Sequence, residues 1–278
     1  LLSPEQKLVI IETVREVSKQ EILPRFRALS EDLIDTKSGF DDLVTIADVA
    51  AEKAMTERFR KQIPAALIVG EEAVAANQAV LDSLDSESLV IIIDPIDGTW
   101  NYANGVSNFG VLIAAAYQGE TVFGLLYDVI NDDWIEASKG EGAWYVKLGK
   151  TPRRLKLSQA PADQKLVGIY SPFLFKDMAQ RQQAAMTQVN YARVISMRCS
   201  CHEYRTMLGN SIDFFISPKP NSWDHAAGIL AFQEAGGVVA MQDGSEYRPS
   251  IRTGMIIAAR NLDVLRQIQQ DFSWYQPL

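Results

Sequence analysis

The sequence predicts a mixed α+β / α/β chain, with an antiparallel sheet in the first half and a mixed sheet in the second. Two observations carry this. Apolar runs at Phe109–Ala114, Val122–Val129 and Asp133–Ala137 are punctuated by glycine-containing turns, Gln118-Gly119-Glu120 and Lys139-Gly140-Glu141-Gly142, as in neighbouring antiparallel strands. Near residue 150 the pattern changes to strand-type runs alternating with helix-type segments. No repeat, low-complexity tract or linker appears, so 1–278 is expected to form one domain with halves of about 1–150 and 151–278.

Ser3-Pro4-Glu5 reads as an N-cap with proline at the first helical position, and Ile10, Val14 and Val17 then share one face. Asp35 to Asp42 reads as a polar turn between extended pieces Leu33-Ile34 and Leu43-Val44. Thr45 or Ile46 opens a helix that carries Asp48 and runs to about Gln62, with Pro64 beyond its end. Leu67-Ile68-Val69 is a short strand leading into Glu71 and Glu72, and Asn77 to Glu87 a loop or short helix. Leu89 to Ile93 is a buried strand that ends at Asp94. In the second half, strands are expected at Leu166–Tyr170, Val194–Met197, Ile212–Ile216, Val238–Ala240 and Met255–Ala259. Helices are expected at Lys176–Val189, Cys201–Leu208 and Trp223–Ala235, with a last helix capped by Asn261.

Composition bounds the function. With 47% hydrophobic residues the chain can build a sizeable core. A net charge of −8, from 27 basic and 35 acidic residues, disfavours sequence-independent binding to nucleic acid or an anionic membrane. Cys199 and Cys201 stand too close in sequence to bridge readily, so no disulfide framework is implied and a reducing cytoplasm fits. No stretch reads as a secretory signal or membrane span.

The most informative stretch is Asp94-Pro95-Ile96-Asp97-Gly98-Thr99. A buried strand here ends by presenting two carboxylates into a turn, and such groups repel unless a cation lies between them. Hard divalent cations, Mg²⁺ above all, take oxygen ligands of this kind. Gly98 permits a tight turn, after which backbone N–H groups can face an anion. Taken alone, Glu71-Glu72 reads as a helix N-terminus, Asp224 as a first-turn aspartate, and Trp223 and His225 as structural residues.

Together, Gly70-Glu71-Glu72, Asp94-Pro95-Ile96-Asp97-Gly98-Thr99 and Trp223-Asp224 resemble, in order, the motifs of the inositol monophosphatase family, lithium-sensitive Mg²⁺-dependent phosphomonoesterases. Asp42-Leu43-Val44-Thr45-Ile46-Ala47-Asp48, preceded by Lys37, matches a fourth stretch. The resemblance covers nearly the whole chain and implies a layered α-β-α-β-α sandwich of the sugar phosphatase type. It also implies a homodimer. Carried over residue by residue, Glu71, Asp94 and the Ile96 carbonyl resemble the ligands of a first Mg²⁺. Asp94, Asp97 and Asp224 resemble those of a second, and Glu71 with waters those of a third. Asp48 and Thr99 resemble the pair that orients and deprotonates the attacking water. The amides of Gly98 and Thr99 resemble a phosphate cradle, and Lys37 a family lysine near the metals. Glu72 is expected behind the ligands.

The alcohol side departs from the family pattern. Where members acting on inositol phosphates carry Gly-Ser/Thr-Ala-Ala at the start of a helix, the region here reads Arg198-Cys199-Ser200-Cys201-His202-Glu203-Tyr204, and the position of a hydroxyl-binding glutamate is Ser217. Lys219 adds a charge suited to a second phosphate or a carboxylate. Ser217 and Lys219 are therefore expected at the substrate. The expected activity is Mg²⁺-dependent hydrolysis of a small phosphomonoester, with inositol monophosphate the leading substrate. The alternatives are fructose 1,6-bisphosphate, a 3′(2′),5′-bisphosphate nucleotide or histidinol phosphate, and, in another class, a non-catalytic regulatory binding protein.

Overall fold

The computed structural model describes residues 2–28, 34–39, 42–158 and 165–277. In chain order the first half comprises α1 (Pro4–Val17), β1 (Ile34–Gly39), β2 (Asp42–Thr45), α2 (Ile46–Gln62), β3 (Leu67–Gly70), α3 (Glu71–Ala76), β4 (Val90–Asp97), α4 (Thr99–Ala103), β5 (Gly110–Tyr117), β6 (Glu120–Asp128), β7 (Asp133–Ser138), β8 (Gly142–Lys147) and β9 (Arg153–Leu155). The second comprises β10 (Val167–Ile169), α5 (Met178–Thr187), β11 (Arg193–Ile195), α6 (Ser200–Leu208), β12 (Phe214–Ser217), α7 (Ser222–Glu234), β13 (Val238–Met241), β14 (Ile256–Ala259) and α8 (Leu262–Asp271).

Strand periodicity builds the layers. β3 to β9 form a seven-stranded sheet in sequence order, antiparallel except for the parallel β3–β4 pair. Its alternating residues serve two cores. Ile91, Ile93, Val111 and Ile113 face α1 and α2, which bury Ile10, Val14, Ala51, Met55 and Phe59 there. Val90, Ile92, Leu112 and Ala114 face α6 and α7. Those two helices are shared with the second sheet, of order β11-β10-β12-β14-β13, through Ile169, Phe215, Ile256 and Ala258. The other face of that sheet, with Phe214, Ile216, Ile257 and Ala259, packs on α5 and α8. The order is α, β, α, β, α, and α6 and α7 form the middle layer that reaches both sheets.

The local signals are chemically specific. Ser3 and Gln6 close a reciprocal capping box at α1, with Gln6 N–H to Ser3 Oγ at 3.2 Å and Ser3 N–H to Gln6 Oε1 at 2.8 Å. Thr45 and Asp48 close another at α2. After α1 the chain widens into one π-helical turn, Ser18–Ile22, whose Ile22 carbonyl accepts the Tyr102 hydroxyl at 2.8 Å.

Several expectations are corrected. The segment read as a turn from Asp35 is largely strand, because Ile34–Gly39 pairs antiparallel with Asp42–Thr45. Lys37 therefore lies in a strand; its side chain, like Leu33, lies outside the described residues. β8 and β9 extend the first sheet beyond the expected strands. The strand expected to end at Asp94 continues to Asp97. Among the described residues no helix is long and apolar enough to cross a membrane.

Candidate active site

The two aspartates of β4 face the same way because of one extra residue. Three positions apart on a regular strand, they would point to opposite faces. Asp94 pairs with Leu112 and Asp97 with Gly110, so three steps on β4 match two on β5. The bulge at Pro95-Ile96 restores a common face. That face is the α6–α7 side, where Asp224 occupies the first turn of α7. One oxygen from each of Asp94, Asp97 and Asp224 lies within 4.8 Å of the others. The parallel register places Gly70 beside Ile93, which sets Glu71 at the level of Asp94.

Asp97 is held from behind. The Cys201 backbone N–H and the Cys199 thiol, at 3.2 Å, both donate to its Oδ2. Burial, and then the facing Asp224 charge, push its pKa well above the ordinary carboxylate value. Asn221 Nδ2 donates to Asp224 Oδ2 at 3.0 Å. Cys199 and Cys201 are free thiols and buried, and burial pushes both up so that they stay neutral.

Asp48 and Thr99 meet as the resemblance implies. The Thr99 hydroxyl lies 3.2 Å from Asp48 Oδ1 and 3.0 Å from the Ile96 carbonyl. Asp48 is fully buried, and its Oδ2 accepts the Thr45 hydroxyl at 2.5 Å and the Thr45 N–H at 2.8 Å. Burial foremost, with Glu71 and Glu72 adding to it against the Thr45 hydrogen bonds, brings its pKa to about 7. Gly98 has a φ of 89°, and a Cβ there would stand 3.0 Å from the Asn108 carbonyl, so glycine alone suits this turn into α4.

The substrate-side expectations divide. Lys219 is exposed on the turn before α7. Ser217 is only 3% exposed, and its hydroxyl binds the Lys219 carbonyl at 3.1 Å and His225 Nε2 at 3.1 Å. It shapes the turn rather than lining a surface. His225 donates Nε2 to the Lys219 carbonyl at 2.9 Å while Nδ1 faces the Tyr204 hydroxyl, and burial lowers its pKa to about 4. It is a structural residue, as its apolar surroundings suggest.

Three supporting carboxamides and carboxylates were not read from the sequence. Glu52, one turn after Asp48 on the buried face of α2, accepts the N–H groups of Glu72 at 2.8 Å and Ala73 at 2.9 Å. The signal was a glutamate among Ala51, Met55 and Phe59 on one helical face. A Cβ on Gly70 would lie 2.2 Å from the Glu52 carboxyl carbon. Gly70→Ala is therefore expected to displace Glu52 and tilt the Glu71 turn, lowering kcat/KM by roughly 10- to 100-fold with the fold retained by circular dichroism. Activity within twofold of wild type would contradict this.

Asn101 and Glu203 brace the loop before α6. Asn101 donates Nδ2 to the carbonyls of Asn108 at 2.8 Å and Met197 at 2.9 Å. Glu203 accepts the Met197 N–H at 2.8 Å, and burial foremost brings its pKa to about 7 from the ordinary 4.5. Between these values the folded chain holds a proton that the unfolded chain has released, so stability falls as pH rises through this window. Glu203→Gln keeps an acceptor without the charge. It is expected to raise the unfolding free energy of metal-free protein, read by denaturant titration, more at about pH 8 than at about pH 5, by a differential on the order of 2 kcal/mol. Equal shifts at both pH values would contradict the assignment.

The sequence profile of the inositol monophosphatase family matches residues 5–273. The inositol-1-monophosphatase of Bacillus subtilis (strain 168) is 30% identical over 216 residues, 77% of this chain and 78% of its own. The Nus factor SuhB of Haemophilus influenzae is 33% identical over 231 residues, 81% of this chain and 80% of its own. Among solved structures, an inositol monophosphatase from Zymomonas mobilis matches the fold with a TM-score of 0.77 at 23% identity, covering 98% of this chain and 100% of that one. With a profile match over nearly its whole length and the three aspartates gathered at the end of β4 and the start of α7, the chain belongs to the inositol monophosphatase family of phosphomonoester hydrolases.

Proposed function

We propose that the chain hydrolyses a small phosphomonoester by direct attack of water, using two or three divalent cations, Mg²⁺ foremost. The observation that carries this is the convergence of Asp94, Asp97 and Asp224 within 4.8 Å. The donor set fits the ion: every side chain in it offers carboxylate oxygen, the preference of Mg²⁺, and nothing soft is required. Glu71 and the Ile96 carbonyl would complete the ligands. When bound, the cations neutralise phosphate charge and acidify a coordinated water.

The chain's own residues supply the rest. Thr99 donates its hydroxyl toward Asp48 or the Ile96 carbonyl, which leaves its oxygen able to accept from a water. Asp48, whose pKa burial raises in the metal-free chain, would take that proton through Thr99. The Gly98 and Thr99 amides would hold phosphate oxygens at the start of α4, with Lys37 and Lys219 contributing charge. Inositol monophosphate remains the leading substrate. Fructose 1,6-bisphosphate, a 3′(2′),5′-bisphosphate nucleotide and histidinol phosphate are the rivals. A homodimer in the cytoplasm belongs to the same reading, and light scattering at micromolar concentration tests the dimer.

The test is inorganic phosphate release from inositol 1-phosphate, fructose 1,6-bisphosphate, adenosine 3′,5′-bisphosphate and histidinol phosphate, each with and without Mg²⁺. Mg²⁺-dependent turnover of one supports the proposal. Turnover of none turns the reading toward the second class, a regulatory binding protein on the same fold. The relative named a Nus factor brings that reading forward. A purely regulatory role would survive Asp94→Asn.

A further inference from the structure

Arg198 is not glycine, yet its φ is 53°. Side chains avoid this left-handed region, and it persists where the surroundings impose it. Here they do. Glu203 accepts the N–H groups of Met197, at 2.8 Å, and of Arg198. Asn101, 4% exposed, donates to the carbonyls of Met197 at 2.9 Å and Arg198 at 3.4 Å. Asn108 adds a bond to the Met197 carbonyl at 2.9 Å. The result aims the exposed Arg198 side chain across Trp100, with the guanidinium carbon 4.4 Å from the ring centroid.

Both partners of this stack adjoin the site. Trp100 follows Thr99 in α4. Arg198 precedes Cys199, whose thiol contacts Asp97, and the Arg198 carbonyl lies 3.3 Å from the Cβ position of Gly98. The acidic floor is suited to cations that serve the scissile phosphate. A neutral polyol needs no positive group at the rim. A second anion beside four carboxylates does.

We propose that Arg198, held over Trp100, is a specificity residue that receives a second oxyanion, phosphate or carboxylate, on the alcohol side of the substrate. This rests on the phosphatase reading above. Stacking engages the face of a guanidinium, while an oxyanion is recognised by its edge, a fork of N–H donors. Holding the group against Trp100 in advance reduces the ordering cost of binding. Lys219, exposed on the turn leading to Asp224, adds charge to the same requirement.

The experiment compares wild type with Arg198→Gly and Arg198→Met, in Mg²⁺, on inositol 1-phosphate, fructose 1,6-bisphosphate and 3-phosphoglycerate. Glycine suits the positive φ, so Arg198→Gly is expected to fold with a thermal midpoint no lower than wild type. Methionine keeps an apolar cover on Trp100 without the charge. The ratio of kcat/KM for a two-anion substrate to that for inositol 1-phosphate should fall about tenfold or more in both variants, mainly through KM, the scale of one charge-assisted bidentate contact. Whether the bisphosphate or the phosphorylated acid shows the fall identifies the second group. A ratio within twofold of wild type in either variant overturns the inference alone. No Mg²⁺-dependent release by wild type from either two-anion substrate overturns this inference, and the phosphatase reading falls with it only if the four-substrate panel above is silent as well.

Discussion

Asp94→Asn is expected to lose activity on the order of a thousandfold or more while keeping its fold. Asp94 is 1% exposed and stands where β4 meets the bulge, level with Glu71 across the parallel pair and beside Asp97 and Asp224. Under the proposed reading it is shared by two cations. Asparagine is isosteric, so the strand keeps its register and packing, but the buried charge is gone. Loss of one shared ligand weakens both ion positions at once, which is why the effect should exceed that of any single contact to substrate. Phosphate release, with circular dichroism as the control for folding, reads this. Turnover within tenfold of wild type would remove Asp94 from the centre of the site.

Thr99→Ala is expected to lower kcat by roughly 10²- to 10³-fold and to leave KM within a few-fold. The Thr99 hydroxyl touches both the buried Asp48 carboxylate and the bulge carbonyl of Ile96. Its loss breaks the path from water to Asp48 without removing a ligand or a backbone amide. Thr99→Ser should recover most of the rate, since the hydroxyl returns. A loss carried by KM, with kcat unchanged, would instead make Thr99 a substrate contact.

The acidic motifs were legible because their neighbours are so apolar. Five apolar residues from Leu89 to Ile93 ending in Asp94 mark a strand whose end carries charge, and that is where the carboxylates gather. The common face of Asp94 and Asp97 was not legible, since strand period alone puts them on opposite sides; the bulge that corrects it is a property of pairing with β5. Asp48 and Thr99 are 51 residues apart, and nothing local in either stretch announces their hydrogen bond. Only the resemblance joined them. Arg198 shows the opposite case. Its backbone conformation and its stack on Trp100 depend on Asn101, Asn108 and Glu203 meeting in space, so the sequence carried the arginine but not its direction. Ser217 looked like a substrate contact by position, yet burial against His225 and the Lys219 carbonyl makes it part of the turn. The short strand β9, with two exposed arginines among three residues, has no apolar pattern to find.

The claim that these carboxylates hold divalent cations can be tested without knowing the substrate. Metal-free wild type and Asp94→Asn would be titrated calorimetrically with Mn²⁺ as a stand-in for Mg²⁺. Saturable binding of two or more ions per chain by wild type, with affinity or stoichiometry sharply reduced in Asp94→Asn, is the predicted result. No saturable binding by wild type, or identical titrations of the two proteins, would contradict a metal centre at Asp94, Asp97 and Asp224.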